Sequence, residues 1–398
     1  MNDPFLDDLA ELRARSLHRR LREMTLSPDG SVAPVGRPMI NFASNDYLGL
    51  AGHPALREAA KAAIDEYGVG AGASRLVCGT LPIHLRLEET LARFKGVEAA
   101  LTFSSGYAAA HGALSALAGP DDVVILDKLA HACLIDAARS CRAVIRVFPH
   151  NHLGKLESLL QWANSEHPAG RVLICTESVF SMDGDRSPVR DLVALKKKYG
   201  ALLLLDEAHA VGVIGRHGRG LAHECEVVRE VDVLMGTMSK ALGVAGGYLA
   251  GRHSLVDLLI NRARSFVFST AQPPALAAAA LASLELLLSE EGEQRRLALW
   301  QNIRHLAAQL PKSPGPAEKT PRGAGSAIFP WIVGPEALAV EVSARLADRG
   351  FLAPAIRYPT VPQGTARLRL TVTSRHTPDQ ITALGQAVAG LAGALRGL

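Results

Sequence analysis

Lys240 stands in the stretch VDVLMGTMSKALGVAGGYLAG, residues 231–251, between an apolar run and a glycine-rich one. An ammonium is costly to bury unless it is paired or neutralised. Asp206 raises the same question in KKKYGALLLLDEAHAVGVIG, where four leucines put the carboxylate at the C-terminal end of a buried strand. Open parallel sheets hold ligands at that end of their strands. His209 follows three residues later. In LTFSSGYAAAHGALSAL a strand runs through Ser104, Ser105 and Gly106 into a helical pattern, which leaves backbone N–H groups free to hold an anion, most naturally a phosphate. Taken singly, each of these has an ordinary reading. The lysine snorkels to the surface, the aspartate caps a helix or pairs with an arginine, the histidine is a core residue, and the turn carries Ser and Gly in order to bend.

Taken together, they have the form that pyridoxal 5′-phosphate requires: a lysine to carry the cofactor as an imine, an aspartate to keep the pyridine nitrogen protonated, and a helix start for the phosphate. The glycines at 243, 246 and 247 then let backbone pass close to the cofactor, and Thr237 offers its hydroxyl to the phosphate. Two rival phosphate signals fail. No GxxxxGK[ST] loop occurs. The segment GVGAGA, residues 68–73, has the glycine spacing of a dinucleotide site but follows the helical HPALREAAKAAIDEY instead of a strand. It reads as a flexible loop near a substrate entrance.

The elements that must position these residues follow an alternating rhythm. Apolar runs AALTF, DVVILD, AVIRVF, RVLICT, ALLLLD and VDVLMG are separated by helical stretches such as SPVRDLVALKKKYG. That rhythm implies an α/β fold with a mostly parallel sheet covered on both faces. The expected organisation is an N-terminal helix and arm over residues 1–48, a large cofactor-binding α/β domain over 49–285, and a smaller C-terminal α+β domain over 286–398. The first segment reads as an exposed helix to about Met24, with Asp3 as cap and a basic end in Arg19, Arg20 and Arg22. The Pro- and Gly-rich PKSPGPAEKTPRGAGS reads as a surface connection. Beyond it come AIFPWIVG, a helix ending at Gly350, and the strand-like ARLRLTV.

Composition narrows the function classes. A net charge of +4 over 398 residues, with 48% hydrophobic and 21% charged residues, gives no dense basic face for nucleic acid. The N-terminus lacks an apolar signal core, and Glu285 interrupts the richest apolar run, so a cytoplasmic protein with no membrane segment is expected. Five scattered cysteines without a CxxC pair read as free thiols, with no metal site.

The motifs NFASNDYLGL, ESVFSMDGD, DEAHAVGVIGRHGRG, GTMSKALG and AIRYPTVPQGTARLRLT are also familiar as a set. The chain resembles the α-oxoamine synthases, pyridoxal phosphate enzymes of fold type I, over nearly its whole length. This resemblance implies that Lys240 forms the imine and Asp206 faces the pyridine nitrogen, with Ser181 and His209 near the cofactor's phenolic oxygen. It implies further that Gly106, Tyr107 and Thr237 hold the phosphate end and that His131 stacks on the ring and helps position or protonate the substrate. Arg369 would grip the amino acid carboxylate, with Asn45, Arg357 and Thr360 near the substrate and Arg22 touching the acyl chain. A homodimer is implied as well, with Ser269 and Thr270 reaching the partner's phosphate. AIRYPTVPQGTARLRLT resembles the branch that joins L-alanine to a pimeloyl thioester of CoA or acyl carrier protein with loss of CO2. Two departures bear on acyl preference: Tyr358 stands where proline is expected, and Arg75 and Cys78 lie near the substrate loop. The alternatives are a member using glycine or serine with another thioester, and a non-catalytic binding protein on the same fold.

Overall fold

The apolar runs of the first three hundred residues become the strands of one sheet, each ending where a polar residue or proline interrupts the run. In the computed structural model, which describes residues 3–26, 32–314 and 325–395, these are β1 (Ala99–Phe103), β2 (Val123–Asp127), β3 (Val144–Phe148), β4 (Val172–Glu177), β5 (Leu202–Asp206) and β6 (Val233–Thr237). A further strand, β7 (Gly247–Gly251), completes a seven-stranded sheet of order β1-β7-β6-β5-β4-β2-β3. β7 runs antiparallel to both its neighbours, while β2 to β6 pair in parallel. Since β1 and β6 both oppose β7, they share a direction. The C-terminal ends of β1 to β6 therefore lie along one edge.

This sheet belongs to a compact unit made of Asp46–Ser181 and Asp185–Leu297. Strands β2, β4 and β6 are buried at every position, as expected of strands covered on both faces. The alanine-rich helix Gly106–Leu117 lies so close to the sheet that a Cβ at Gly112 would come within 2.6 Å of Phe103 Cε1.

The second unit comprises Met1–Asn45, Met182–Gly184 and Ala298–Leu398. Its core is a three-stranded antiparallel sheet in which β10 (Ala366–Thr371) is central, between β8 (Ile328–Gly334) and β9 (Ala355–Ile356). Ile40–Asn41 pairs in parallel with Phe351–Leu352. Helices Glu336–Asp348 and Pro378–Leu395 belong to the same unit.

The N-terminal helix is shorter than its sequence suggests, running only from Leu6 to Ala14. Asp3 acts one step before it, its Oδ1 accepting the Phe5 N–H. None of the helix residues is buried, so no packing extends it against fraying. Ser16 turns left-handed at φ 55°, and the N–H groups of Leu17 and His18 both fold back onto the Leu12 carbonyl. Arg22 consequently lies on exposed chain outside the helix. Most of the Pro- and Gly-rich segment read as a surface connection lies outside the described residues. Among the described residues no helix is long and apolar enough to cross a membrane. All five cysteines are free thiols.

Candidate active site

Strand register sets the scaffold. Glu177 is opposite Asp206, and Asp206 is opposite Met235, so the carboxyl-bearing ends of β4 and β5 are adjacent. Lys240 follows three residues after the end of β6, in a tight connection to β7 closed by Met238 N–H donating to the Gly246 carbonyl and Gly243 N–H donating to that of Lys240, each at 2.9 Å. Its Nζ lies 2.9 Å from His209 Nε2, and the other imidazole nitrogen, Nδ1, lies 2.7 Å from the Tyr47 hydroxyl. Asp206 is buried, with Oδ1 accepting the Ala208 N–H at 2.9 Å. Among the described residues its other oxygen accepts no hydrogen bond. Burial pushes this carboxyl's pKa up, and the Lys240 charge and the Ala208 N–H pull it back.

Helix Gly106–Leu117 starts along the same edge, after β1. The Ser105 hydroxyl caps it by accepting the Ala108 N–H at 3.1 Å, and the first-turn N–H groups have no partner within the helix. Close approach here requires glycine: a Cβ at Gly247 would lie 2.4 Å from the Ser105 carbonyl oxygen and 2.5 Å from the Gly106 nitrogen. The glycines around Lys240 therefore make room for neighbouring protein. Gly243, at φ 72°, faces the backbone of Leu50 and Ala51, and Gly246 faces the Met238 side chain. Thr237 packs against Gly106, but its hydroxyl donates to the Gly246 carbonyl at 2.8 Å and accepts the Ser239 N–H, so it also closes the lysine loop.

This donor set suits pyridoxal phosphate. A buried carboxylate with an unbonded oxygen matches a protonated ring nitrogen, the lysine amine in the loop after the neighbouring strand matches the aldehyde, and the capped helix start matches the phosphate.

His131 caps helix Ala132–Ser140 through Nδ1, which accepts the Cys133 N–H at 3.2 Å. The residue is exposed overall, yet its ring is crowded enough that desolvation, the largest influence, lowers its pKa; Asp206 raises it and Lys240 lowers it. Those two charges put His131 in the neighbourhood of the lysine. Ser181 donates its N–H to Glu177 Oε2 at 3.2 Å. Tyr107 is exposed and its hydroxyl donates to Asp136 at 2.9 Å, so any hold on a phosphate comes from its backbone N–H. Ser269 and Thr270 line a small cavity with Arg75, Thr102, Ser104 and Gln272. Arg75 there makes a bidentate pair with Glu88 at 2.8 and 2.9 Å, a structural use for one of the three unexpected residues.

In the second unit, Arg369 is buried on central strand β10 and not at a sheet edge, with Nη1 donating to Asn45 Oδ1 at 3.0 Å. Arg357 is half-buried and donates to the Ser16 carbonyl, and Arg19 reaches Thr360 at 3.3 Å. The structure thus joins Arg369 to Asn45. Arg22 makes no hydrogen bond or ion pair among the described residues.

Three participants escaped the sequence reading. Tyr47 bonds His209. Glu177 is buried, which together with the neighbouring Asp206 drives its pKa well up, and its Oε1 has no partner among the described residues. His150 bridges Asp127 at 3.1 Å and Asp185 at 2.7 Å, with its ring edge-on to Phe180 at 4.3 Å. Asp127 also accepts the N–H groups of Leu129 and Asn151, and Phe180 N–H donates to the Asp185 carbonyl. This ties the segment leading to His131 to the hairpin carrying Ser181. The only sequence signal was polarity, a PHNH run after a strand.

Residues 37–388 match the family described as Aminotransferase class I and II. An 8-amino-7-oxononanoate synthase of Geobacter sulfurreducens is 47% identical over 98% of this chain and 98% of its own. Among solved structures, a serine palmitoyltransferase from S. paucimobilis with a bound PLP–myriocin aldimine matches with a TM-score of 0.90 at 29% identity, covering 100% of this chain and 98% of that one. An 8-amino-7-oxononanoate synthase from Francisella tularensis matches with a TM-score of 0.75 at 27% identity over 90% and 98% of the two chains. The fold is that of the fold type I pyridoxal phosphate transferases, and the chain belongs to the class I and II aminotransferase family, on its 8-amino-7-oxononanoate synthase branch.

Proposed function

We infer that this chain joins L-alanine to the pimeloyl thioester of CoA or acyl carrier protein, releasing CO2 and the free thiol and giving 8-amino-7-oxononanoate, a step of biotin biosynthesis. The observation that carries the chemistry is Lys240 Nζ at 2.9 Å from His209 Nε2, in the loop that follows the strand paired with that of buried Asp206. Pyridoxal phosphate bound here supplies an electron sink for negative charge at the substrate's α-carbon.

The protein's own groups then divide the work. Asp206 stays ionised opposite the ring nitrogen, and a cation there offsets the burial that otherwise raises its pKa. Lys240, as the free amine, takes the α-proton and later returns one. Arg369, oriented by Asn45, holds the amino acid carboxylate. His131 has Nδ1 occupied as an acceptor, so its neutral ring carries the proton on Nε2 and donates toward the acyl carbonyl. Loss of CO2 makes the condensation effectively irreversible.

A homodimer is part of this proposal. Val69, Leu76, Val77 and Phe268 are large apolar side chains left exposed, consistent with a covered face. Ser269 and Thr270 would reach the partner's phosphate.

The test is absorbance and turnover. The purified protein should show the visible imine band, and Lys240→Ala should lack it. Alanine with a pimeloyl thioester should release the thiol faster than glycine or serine does. A stronger response to serine would favour the reading suggested by the 0.90 TM-score to a serine palmitoyltransferase.

A further inference from the structure

Tyr47 is buried at 1% exposure, and its hydroxyl is 2.7 Å from His209 Nδ1. Both imidazole nitrogens are thus engaged, one by a phenol and the other by the Lys240 amine at 2.9 Å. The phenol is held rigidly. Asp46 accepts the N–H groups of Leu50 at 2.8 Å and Ala51 at 3.1 Å, closing a turn around Tyr47. The Lys240 loop rests directly on that turn, because a Cβ at Gly243 would be 2.5 Å from the Ala51 nitrogen. Tyrosine, histidine and lysine are therefore fixed to one another by backbone contacts as well as by side-chain bonds.

His209 is 4% exposed, and the chemistry of a neutral imidazole there depends on which nitrogen carries the single proton. The phenol is a better donor than imidazole N–H; with its hydrogen bond donated to Nδ1, Nε2 carries the N–H and faces the lysine, which accepts it as the neutral amine. We propose that Tyr47 is a positioning residue that fixes His209 as the neutral Nε2–H tautomer, so that His209 is a standing donor at the point where Lys240 meets the cofactor. This rests on the pyridoxal phosphate reading for its catalytic consequence, but not for the tautomer itself. A histidine free to hold its proton on Nδ1 would present a lone pair there instead and repel an oxyanion.

Tyr47→Phe keeps the ring in the core and removes the bond. In cofactor-free Lys240→Ala, where no ammonium faces Nε2, nitrogen NMR of labelled histidine should show the Nε2–H form of His209, assigned by loss of its signals on adding His209→Gln. Adding Tyr47→Phe to that background should shift the population toward Nδ1–H. In the loaded enzyme the pH midpoint of the cofactor's absorbance change should move, and kcat should fall about five- to tenfold with KM for alanine changed less than about twofold. Adding Tyr47→Phe to His209→Gln should cost nothing further. An unchanged tautomer in Tyr47→Phe overturns the proposal, as does a changed tautomer with an unmoved midpoint. If the wild type binds no cofactor, the functional reading fails, and the NMR comparison still decides what Tyr47 does to His209.

Discussion

Replacing His150 by asparagine removes the cation from between Asp127 and Asp185, and its cost should depend on pH in a way the geometry dictates. Burial pushes the His150 pKa down, but hydrogen bonds and charge from Asp127 and Asp185 overcome it and raise it from 6.5 to about 10. The folded chain therefore keeps a proton that the unfolded chain gives up. The stabilisation is complete below about pH 6.5, falls by ~1.4 kcal/mol per pH unit above it, and is gone once pH passes about 10. The full span corresponds to about 5 kcal/mol. Because 26% of the side chain is exposed, solvent screening brings the expected loss to about 2–4 kcal/mol. Urea unfolding of the wild type and His150→Asn, measured from about pH 6 to about pH 10, should show the difference shrinking steadily to near zero. A difference independent of pH, or an NMR titration placing His150 near its ordinary pKa, would refute the reasoning.

Three further substitutions test Asp206 and the groups around it. Lys95 and Glu207 form a fully buried ion pair at 2.5 Å, with Lys95 also donating to the Arg219 carbonyl and Glu207 accepting the Ala222 N–H. Lys95→Met should cost about 3–5 kcal/mol in urea unfolding by stranding the carboxylate, and Lys95→Met with Glu207→Gln should recover part of it. If the double variant is no better than the single one, the stranded charge is not the cause. Asp206→Asn should abolish turnover and weaken cofactor binding, yet raise the melting temperature of the cofactor-free protein at neutral pH. The sign follows from the raised folded-state pKa: an aspartate that binds its proton more tightly when folded destabilises the fold once pH exceeds the unfolded value. A lower melting temperature would mean that Asp206 serves the fold.

Sequence revealed most where burial and local pattern coincide. Strand β1 has the ends of its apolar run, and β2 to β6 depart from theirs by a residue or two, because apolar residues covered on both faces read as continuous runs. β7 was hidden because GYLAG begins and ends in glycine and looks like part of the loop; those glycines answer to close backbone contacts that only tertiary structure creates. The N-terminal helix was overextended because helical spacing without a buried face fixes no endpoint. Lys240, Asp206 and the Ser105 cap were legible because each sits at a strand end, whereas Tyr47 with His209, and His150 with its two aspartates, were not. Those partners lie too far apart in the chain for spacing to link them, and a polar residue in a loop reads as ordinary surface. Arg369 was legible only through resemblance, since nothing in ARLRLT distinguishes a buried arginine from an edge one.

The antiparallel course of β7 has a consequence for how the lysine moves. A loop that runs from a strand into a helix can loosen at its helical end without disturbing sheet pairing. Here both ends of the loop continue into interior strands, since β7 lies between β1 and β6. Peeling the loop away would unzip the middle of the sheet. Displacing the Lys240 backbone would thus disturb interior pairing on both sides, which leaves travel of the amine to the side chain's own rotatable bonds.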